Sequence, residues 1–348
     1  MRAQQFAIIL VAFAAWIAPA AHAQIAIPAL DRSIKAGEFG KFVAVEVEQG
    51  GETVLSKRYD GKAADRRTDI RSAGKSLTAL AIGTLVDDGK LTTDTKVWPL
   101  LGSAEDDLRN RITVHDLLTM SSALDCNDQN RKSPGQEERM YRTRVWRDFA
   151  MTLPLDDTYQ RDADGQGRYS YCTAGVFLLG QVVQEVSGQR FDAYMAQHIF
   201  EPLGIDNVKW RSSRSGEIQS GGQIEMRARD LAVIGRMVLD GGTHGDTQIV
   251  SKEWVDRMLT PHVRLSEYVR YGYLWWFTPV KSPRGFEPSW MMRGNGGNIV
   301  SIYRDYDAVI VIQARNYNKK DAYENSFKAM WAVMEALPPP AQSEAKSD

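Results

Sequence analysis

The sequence predicts a mixed α/β (α+β) fold in which one sheet is assembled from distant segments and a run of helices is inserted between them. Three observations carry this expectation. Strand-like runs stand near both ends, helical periodicity fills the middle, and no unit repeats at solenoid or propeller periods. At 348 residues, 43% hydrophobic and 25% charged, the chain has a soluble globular composition and room for one large domain or two intimately packed ones. A formal net charge of −1, with no Lys/Arg run beside aromatic stripes, argues against a nucleic-acid partner.

Taken in order, the first residues stand outside the fold. Arg2, an apolar run over 6–19 and the small-residue site Ala21-His22-Ala23 read as a signal peptide over 1–23, cleaved near Ala23. A retained anchor is the alternative, but the run is short for a bilayer span. The expected location is a periplasm or the medium, with no membrane span after signal removal. The only cysteines, Cys126 and Cys172, would then meet an oxidising compartment that permits one disulfide; two buried thiols are the alternative.

A short helix over 29–35 precedes strands over 42–47 and 53–55, which flank the hairpin signal Gln49-Gly50-Gly51. Leu77, Leu80, Ala81 and Leu85 recur at helical spacing, predicting a helix over 72–88 closed by Gly89. Thr113-Val114-His115-Asp116 forms a capping-box-like start for Leu117-Leu118. The polar stretch 125–136 has no periodicity and reads as a loop. Helices follow over 144–153, 175–186, 190–200 and 229–239, the last ended by Gly241-Gly242. Strand character returns over 271–278, 298–303 and 308–313, before a final helix over 325–337 and the stop Pro338-Pro339-Pro340. The expected organisation is a signal peptide over 1–23 and one domain over 24–338. Segments 24–90 and 245–338 carry its sheet, 91–244 is mainly helical, and 339–348 is a disordered tail.

Ser72-Ala73-Gly74-Lys75 sets a hydroxyl and an amine three apart at a helix start, on one face and within mutual reach. A serine becomes a nucleophile beside a base, and a partly desolvated lysine can be that base. The spacing alone is weak evidence, since Ser343-Glu344-Ala345-Lys346 repeats it in the polar tail. Surroundings make the difference. Ser72 is followed by Asp88-Gly89-Lys90-Leu91, then by Ile112-Thr113-Val114-His115-Asp116-Leu117-Leu118-Thr119-Met120-Ser121-Ser122-Ala123-Leu124, then by Tyr169-Ser170-Tyr171-Cys172-Thr173-Ala174-Gly175 and Leu178-Leu179-Gly180.

Together these motifs resemble the serine β-lactamase-related family: class C β-lactamases, D-Ala-D-Ala carboxypeptidases, family VIII esterases and nylon-oligomer hydrolases. The resemblance runs from about Phe42 to Asn316. It implies a β-lactamase/penicillin-binding-protein-like fold, an antiparallel sheet flanked by helices with an inserted all-helical subdomain. It also implies that Ser72 is acylated and that Lys75 is the base. Anchored on Leu178-Leu179-Gly180, the family's Tyr-x-Asn motif falls on Tyr171 and Thr173, with Tyr169 a rival for the tyrosine. A phenol ionises near ~10, and an ammonium at Lys75 would lower that value. Thr173 in place of asparagine puts recognition of a substrate amide in doubt.

The third motif, Lys-Thr-Gly or His-x-Gly, aligns with Met292-Arg293-Gly294; Asn295-Gly296-Gly297 is the other register. Thr173, Arg293 and Gly294 are thus expected at the substrate, with Arg293 either a bidentate carboxylate donor or an ordinary surface residue. The backbone N–H groups of Ser72 and Asn295 would form the oxyanion hole. Tyr271-Gly272-Tyr273-Leu274-Trp275-Trp276 resembles an aromatic strand near the family's cleft, and Ser220-Gly221-Gly222 matches a structural turn. Since Cys172 follows Tyr171, a bond to Cys126 would hold the Tyr171 loop.

No Gly-x-Ser-x-Gly elbow supplies an α/β-hydrolase nucleophile, and no His-x-His or His-x-x-Glu-His cluster supplies zinc ligands. No metal or cofactor is expected. The chain reads as an exported serine hydrolase acting through a Ser72 acyl-enzyme on a small ester or amide substrate. A true β-lactamase or D,D-peptidase is the alternative enzyme. The non-enzyme alternative is a β-lactam or peptidoglycan sensor that acylates without turnover.

Overall fold

The computed structural model describes residues 24–156 and 167–339. Segment 1–23, expected as a signal peptide, and the tail from 340 onward, with its second Ser-x-x-Lys, lie outside the described residues. Eight strands make the main sheet: β1 (Phe42–Gln49), β2 (Glu52–Arg58), β3 (Val263–Arg264), β4 (Arg270–Tyr271), β5 (Trp276–Phe277), β6 (Trp290–Gly294), β7 (Asn298–Tyr303) and β8 (Ala308–Ala314). Their order is β2-β1-β8-β7-β6-β5-β4-β3, and every neighbouring pair is antiparallel.

Helices that matter for the site are α1 (Pro28–Lys35), α2 (Lys75–Asp87), α3 (Val114–Leu118), α4 (Glu137–Arg142), α5 (Thr173–Ser187), α6 (Ala228–Leu239) and α7 (Ala322–Ala336). The sheet is covered on both faces, which is why β7 and β8 read as unbroken apolar runs. Side chains alternate along a strand. Val309 and Val311 therefore join Val300 and Ile302 in the core shared with α6, while Ile310 and Ile312 join Ile299 under α1 and α7. On α6, Gly235 lets the helix settle on the sheet: a Cβ there would stand 2.5 Å from Val309 Cγ1.

The second core lies among helices. Lys75 through Leu85 of α2 and Thr173 through Val183 of α5 are all buried, the expected outcome for helices apolar on every side. Among the described residues no helix is long and apolar enough to cross a membrane. Both bonds of the capping box at Thr113 are present: Asp116 N–H donates to Thr113 Oγ1 at 3.1 Å, and Thr113 N–H to Asp116 Oδ2 at 2.9 Å.

Three expected elements come out differently. The helix expected over 72–88 opens as a 3-10 turn, Arg71–Gly74, and becomes α-helical only at Lys75, because Arg71 sits at φ 54° and cannot enter an α-helix. The strand expected over 271–278 is interrupted between β4 and β5. Leu274, at φ 59°, turns its N–H to the Leu118 carbonyl and accepts from Ser76 Oγ, so its backbone serves the helices instead. The helix expected over 190–200 is α-helical at Phe191–Met195 and a π-turn at Ala196–Phe200.

Candidate active site

Ser72 sits where three parts of the chain converge: the 3-10 turn, the end of β6 and the loop leading into α5. A left-handed, non-glycine residue before it costs roughly 1–2 kcal/mol and persists only if its surroundings fix it. They do. Arg71 N–H donates to Asp69 Oδ1 at 2.8 Å, its carbonyl accepts from Gln223 N–H at 3.1 Å, and its guanidinium lies 4.2 Å from the Tyr317 ring centroid. The last residue of β6 abuts this turn. A Cβ on Gly294 would run into the Ile70 carbonyl, so only glycine lets the strand come this close.

Lys75 is buried, and its Nζ lies 3.2 Å from Ser72 Oγ, 2.8 Å from Thr173 Oγ1 and 2.6 Å from the Gly221 carbonyl oxygen. The Tyr171 ring centroid is 5.0 Å from Nζ, and Ser72 and Tyr171 line the same cavity. Ser72 and Lys75 from one stretch of sequence and Tyr171 from another thus come together around Nζ. Tyr169 packs edge-on to Tyr271 and Trp276, and its hydroxyl has no partner. Gly221, read as part of a structural turn, supplies an acceptor to the lysine.

Sequence reasoning missed two residues here, Asp128 and Glu137. Thr173 sends both its N–H (2.8 Å) and its hydroxyl (2.7 Å) to Asp128 Oδ2, and Glu137 Oε2 lies 3.3 Å from the same hydroxyl oxygen. Asp128 lies in the aperiodic loop, where no pattern marks one acid above another. The available signal was the cysteine pair. Cys126 and Cys172 are disulfide-bonded, and that bond sets Asp128, two residues past Cys126, beside Thr173, one residue past Cys172. Asp128 N–H closes the arrangement by donating to the Tyr171 carbonyl at 2.9 Å.

Burial dominates the electrostatics. It pushes the Lys75 ammonium below its ordinary range, against the pull of the Glu137 and Asp128 carboxylates. Asp128 keeps some surface on the cavity, yet its carboxylate is shut in by Thr173, Lys75 and Glu137. Desolvation and then the Glu137 charge push it up to about 6, with Lys75 opposing. Tyr171 departs from expectation. Loss of water first, then Asp128 and Glu137, push its phenol well above its usual value, while Ser72 and Arg293 oppose. It stays a neutral phenol, because loss of water, seconded by the two carboxylates, disfavours the phenolate.

A cavity of about 330 Å³ opens onto this cluster, lined by Ser72, Asp128, Gln129, Glu137, Tyr171, Trp276, Arg293, Asn295 and Tyr323. Arg293 stands 5.0 Å from the Trp276 ring centroid and 4.5 Å from that of Tyr323, and leaves its buried Nε without a partner. Asn295 is fastened by its side chain, which donates to Asn318 Oδ1 at 2.7 Å and accepts from Asn318 N–H at 2.9 Å. Two residues expected at the substrate lie behind the wall instead. Thr173 is fully buried because its hydroxyl is spent on Lys75 and Asp128, and Gly294 is buried because it packs on the Ile70 carbonyl.

Comparison with known proteins fits this architecture. The sequence model described as Beta-lactamase matches residues 40–329. The chain is 28% identical over 216 residues to a 6-aminohexanoate-dimer hydrolase of Paenarthrobacter ureafaciens, covering 60% of this chain and 55% of that protein. It is 24% identical over 211 residues to Penicillin-binding protein 4 of Amycolatopsis lactamdurans, covering 52% of this chain and 53% of that one. The chain thus spans about half the length of these curated relatives. An octameric penicillin-binding protein homologue from Pyrococcus abyssi shares the fold, with a TM-score of 0.69 at 20% identity over 90% of this chain and 79% of that one.

Proposed function

Because the chain belongs to the Beta-lactamase family of serine hydrolases, we propose that it is an exported hydrolase of small esters or linear amides, working through an acyl-enzyme on Ser72. The observation that carries this reading is Lys75 Nζ at 3.2 Å from Ser72 Oγ and 5.0 Å from the Tyr171 ring centroid, behind a cavity that Ser72 and Tyr171 line. Neutral Lys75 takes the Ser72 proton as Oγ bonds to the substrate carbonyl carbon. The backbone N–H groups of Ser72 and Asn295 receive the developing oxyanion, a contribution of about 3–4 kcal/mol where such donors have been removed. Tyr171, a neutral phenol, donates its proton to the departing alkoxide or amine and recovers one from Lys75. A water then attacks the acyl carbon, and the same groups run in reverse to free Ser72. The disulfide supports export, since such bonds persist in oxidising compartments.

A second reading, a β-lactamase or D,D-peptidase, is favoured by Arg293, which lines the cavity and whose guanidinium fits a carboxylate. Turnover of p-nitrophenyl butyrate and of nitrocefin, with Ser72→Ala beside wild type, separates the two. Ester hydrolysis that vanishes in Ser72→Ala, with slow nitrocefin turnover, is expected. Fast nitrocefin hydrolysis selects the second reading. A stable adduct seen by intact mass, with no release, replaces both with an acylating sensor.

A further inference from the structure

We propose that Asp128 is a positioning residue that makes Lys75 a base: by taking the Thr173 hydroxyl proton, it leaves the Nζ lone pair only Ser72 to face. The inference rests on the reading above and concerns how its first proton moves.

A neutral amine has two N–H bonds and one lone pair. One N–H goes to the Gly221 carbonyl at 2.6 Å, a group that can only accept. The other neighbour, Thr173 Oγ1 at 2.8 Å, is a hydroxyl and could accept from the amine or donate to it. Its single proton decides. Asp128 Oδ2 lies 2.7 Å from that oxygen and is held there by the Thr173 N–H at 2.8 Å, so the proton points to the carboxylate. Thr173 is then an obligate acceptor, and the second N–H of Lys75 goes to it. The direction left over is that of Ser72 Oγ, 3.2 Å away. The Ser72 O–H bond breaks into the lone pair and forms the third N–H of an ammonium, while Oγ bonds to the substrate carbon.

Without the carboxylate, the Thr173 proton is left with the more distant Glu137 Oε2, at 3.3 Å, or the lone pair itself at 2.8 Å; turned to the lone pair, it makes Lys75 offer Ser72 an N–H instead. An asparagine at 173 would carry its own donor and acceptor; a hydroxyl has a direction only if something sets it. The setting group is itself fixed. Asp128 Oδ1 accepts from Glu137 N–H at 3.0 Å, Asp128 N–H donates to the Tyr171 carbonyl, and the Cys126–Cys172 bond closes the loop. Facing the carboxylate are Lys75 from α2, Glu137 from α4, Thr173 from α5 and Tyr171 from the preceding loop, with Arg293 of β6 on the same cavity. Protonation of Asp128 weakens this hold, because a neutral carboxyl accepts less strongly than a carboxylate, and burial brings that within reach of mildly acidic pH.

The test measures kcat/KM for p-nitrophenyl butyrate, which reports acylation, from pH 5 to 9 in wild type, Asp128→Asn, Thr173→Val and Thr173→Ser, with a thermal melt of each. Asp128→Asn and Thr173→Val are expected to lose about 10²-fold, the scale of a general base. Thr173→Ser, which keeps the hydroxyl, recovers most of that loss, and the acid limb of wild type, to which both Lys75 and Asp128 contribute, shifts its midpoint in Asp128→Asn. Should Asp128→Asn unfold below the assay temperature, the Val and Ser variants decide, since both keep Asp128. Wild-type rates in Asp128→Asn, an unchanged acid limb there, or equal losses for Val and Ser each overturn the inference while leaving the Ser72 acyl-enzyme standing. A wild-type chain no more active than Ser72→Ala overturns both.

Discussion

A carboxylate kept from bulk water, as that of Asp128 is, weakens the fold whenever it is ionised. Its folded value of about 6 lies above the unfolded 3.8, so between those values the native state holds more protons than the unfolded one. Stability from this group is complete below the unfolded value and is lost as pH rises through about 6. Replacing it with a neutral isostere removes that loss. Asp128→Asn should therefore melt above wild type at pH 8, by a margin that shrinks toward pH 5; calorimetry at the two values checks it, and a margin that grows toward pH 5 contradicts it. The same residue would then weaken the fold and serve the chemistry. At this scale Ser72 and Lys75 were legible because their relation is local, three positions along one turn. The charge state of Tyr171 was not, because it depends on water excluded by distant elements and on two carboxylates from 34 and 43 positions upstream, which no spacing rule connects to it.

Among the elements, β6 and the 3-10 turn are the tightest pair. Arg293 and Asn295 reach the cavity only because Gly294 between them lets the strand lie against the Ile70 carbonyl. Gly294→Ala should destabilise the fold by about 1–3 kcal/mol, the usual cost of forcing an extra methyl into a packed site. It should also lower kcat for p-nitrophenyl butyrate, because the strand carrying Asn295 must back away from Ser72. A denaturant melt with steady-state kinetics tests both, and an Ala variant with unchanged midpoint and kcat removes the tight pairing. Element existence was mostly readable from period: the helix of Thr173–Ser187 and the strand Asn298–Tyr303 follow their apolar patterns. Element interruptions were not. The breaks at Arg71 and Leu274 come from backbone bonds to remote partners, Gln223 and Leu118, and leave no mark in local composition.

For the whole molecule, the decisive contact is between its two ends. β1 lies between β2 and β8, in one register from Ala44 against Gln313 to Gln49 against Ala308, with a shift between Ala44 and the Phe42–Ala314 pair. A chain cut after Asp307 would lose the centre of the sheet and the helix α7 that covers one face of it. Such a chain should show no cooperative thermal transition, as circular dichroism would reveal; a sharp melt would mean that the remaining helices and strands fold alone. That sheet and helices divide by position along the chain was legible, since strand-like runs cluster at the ends. The strand order was not, because pairing partners are chosen by packing on α6 and α7 rather than by sequence neighbours.

The same seam has a consequence in time. On a ribosome, the hairpin of β1 and β2 emerges before every other strand of the main sheet, with the β8 side of β1, which carries Val45 and Val47, unpaired. The residues that close that seam lie as many as 275 positions downstream, as for Lys41 and Asn316. At the usual pace of synthesis the wait is on the order of 15–50 s. Through that interval a sticky strand has nothing of its own to bind, so a nascent chain of this design depends on a chaperone far more than the finished protein does.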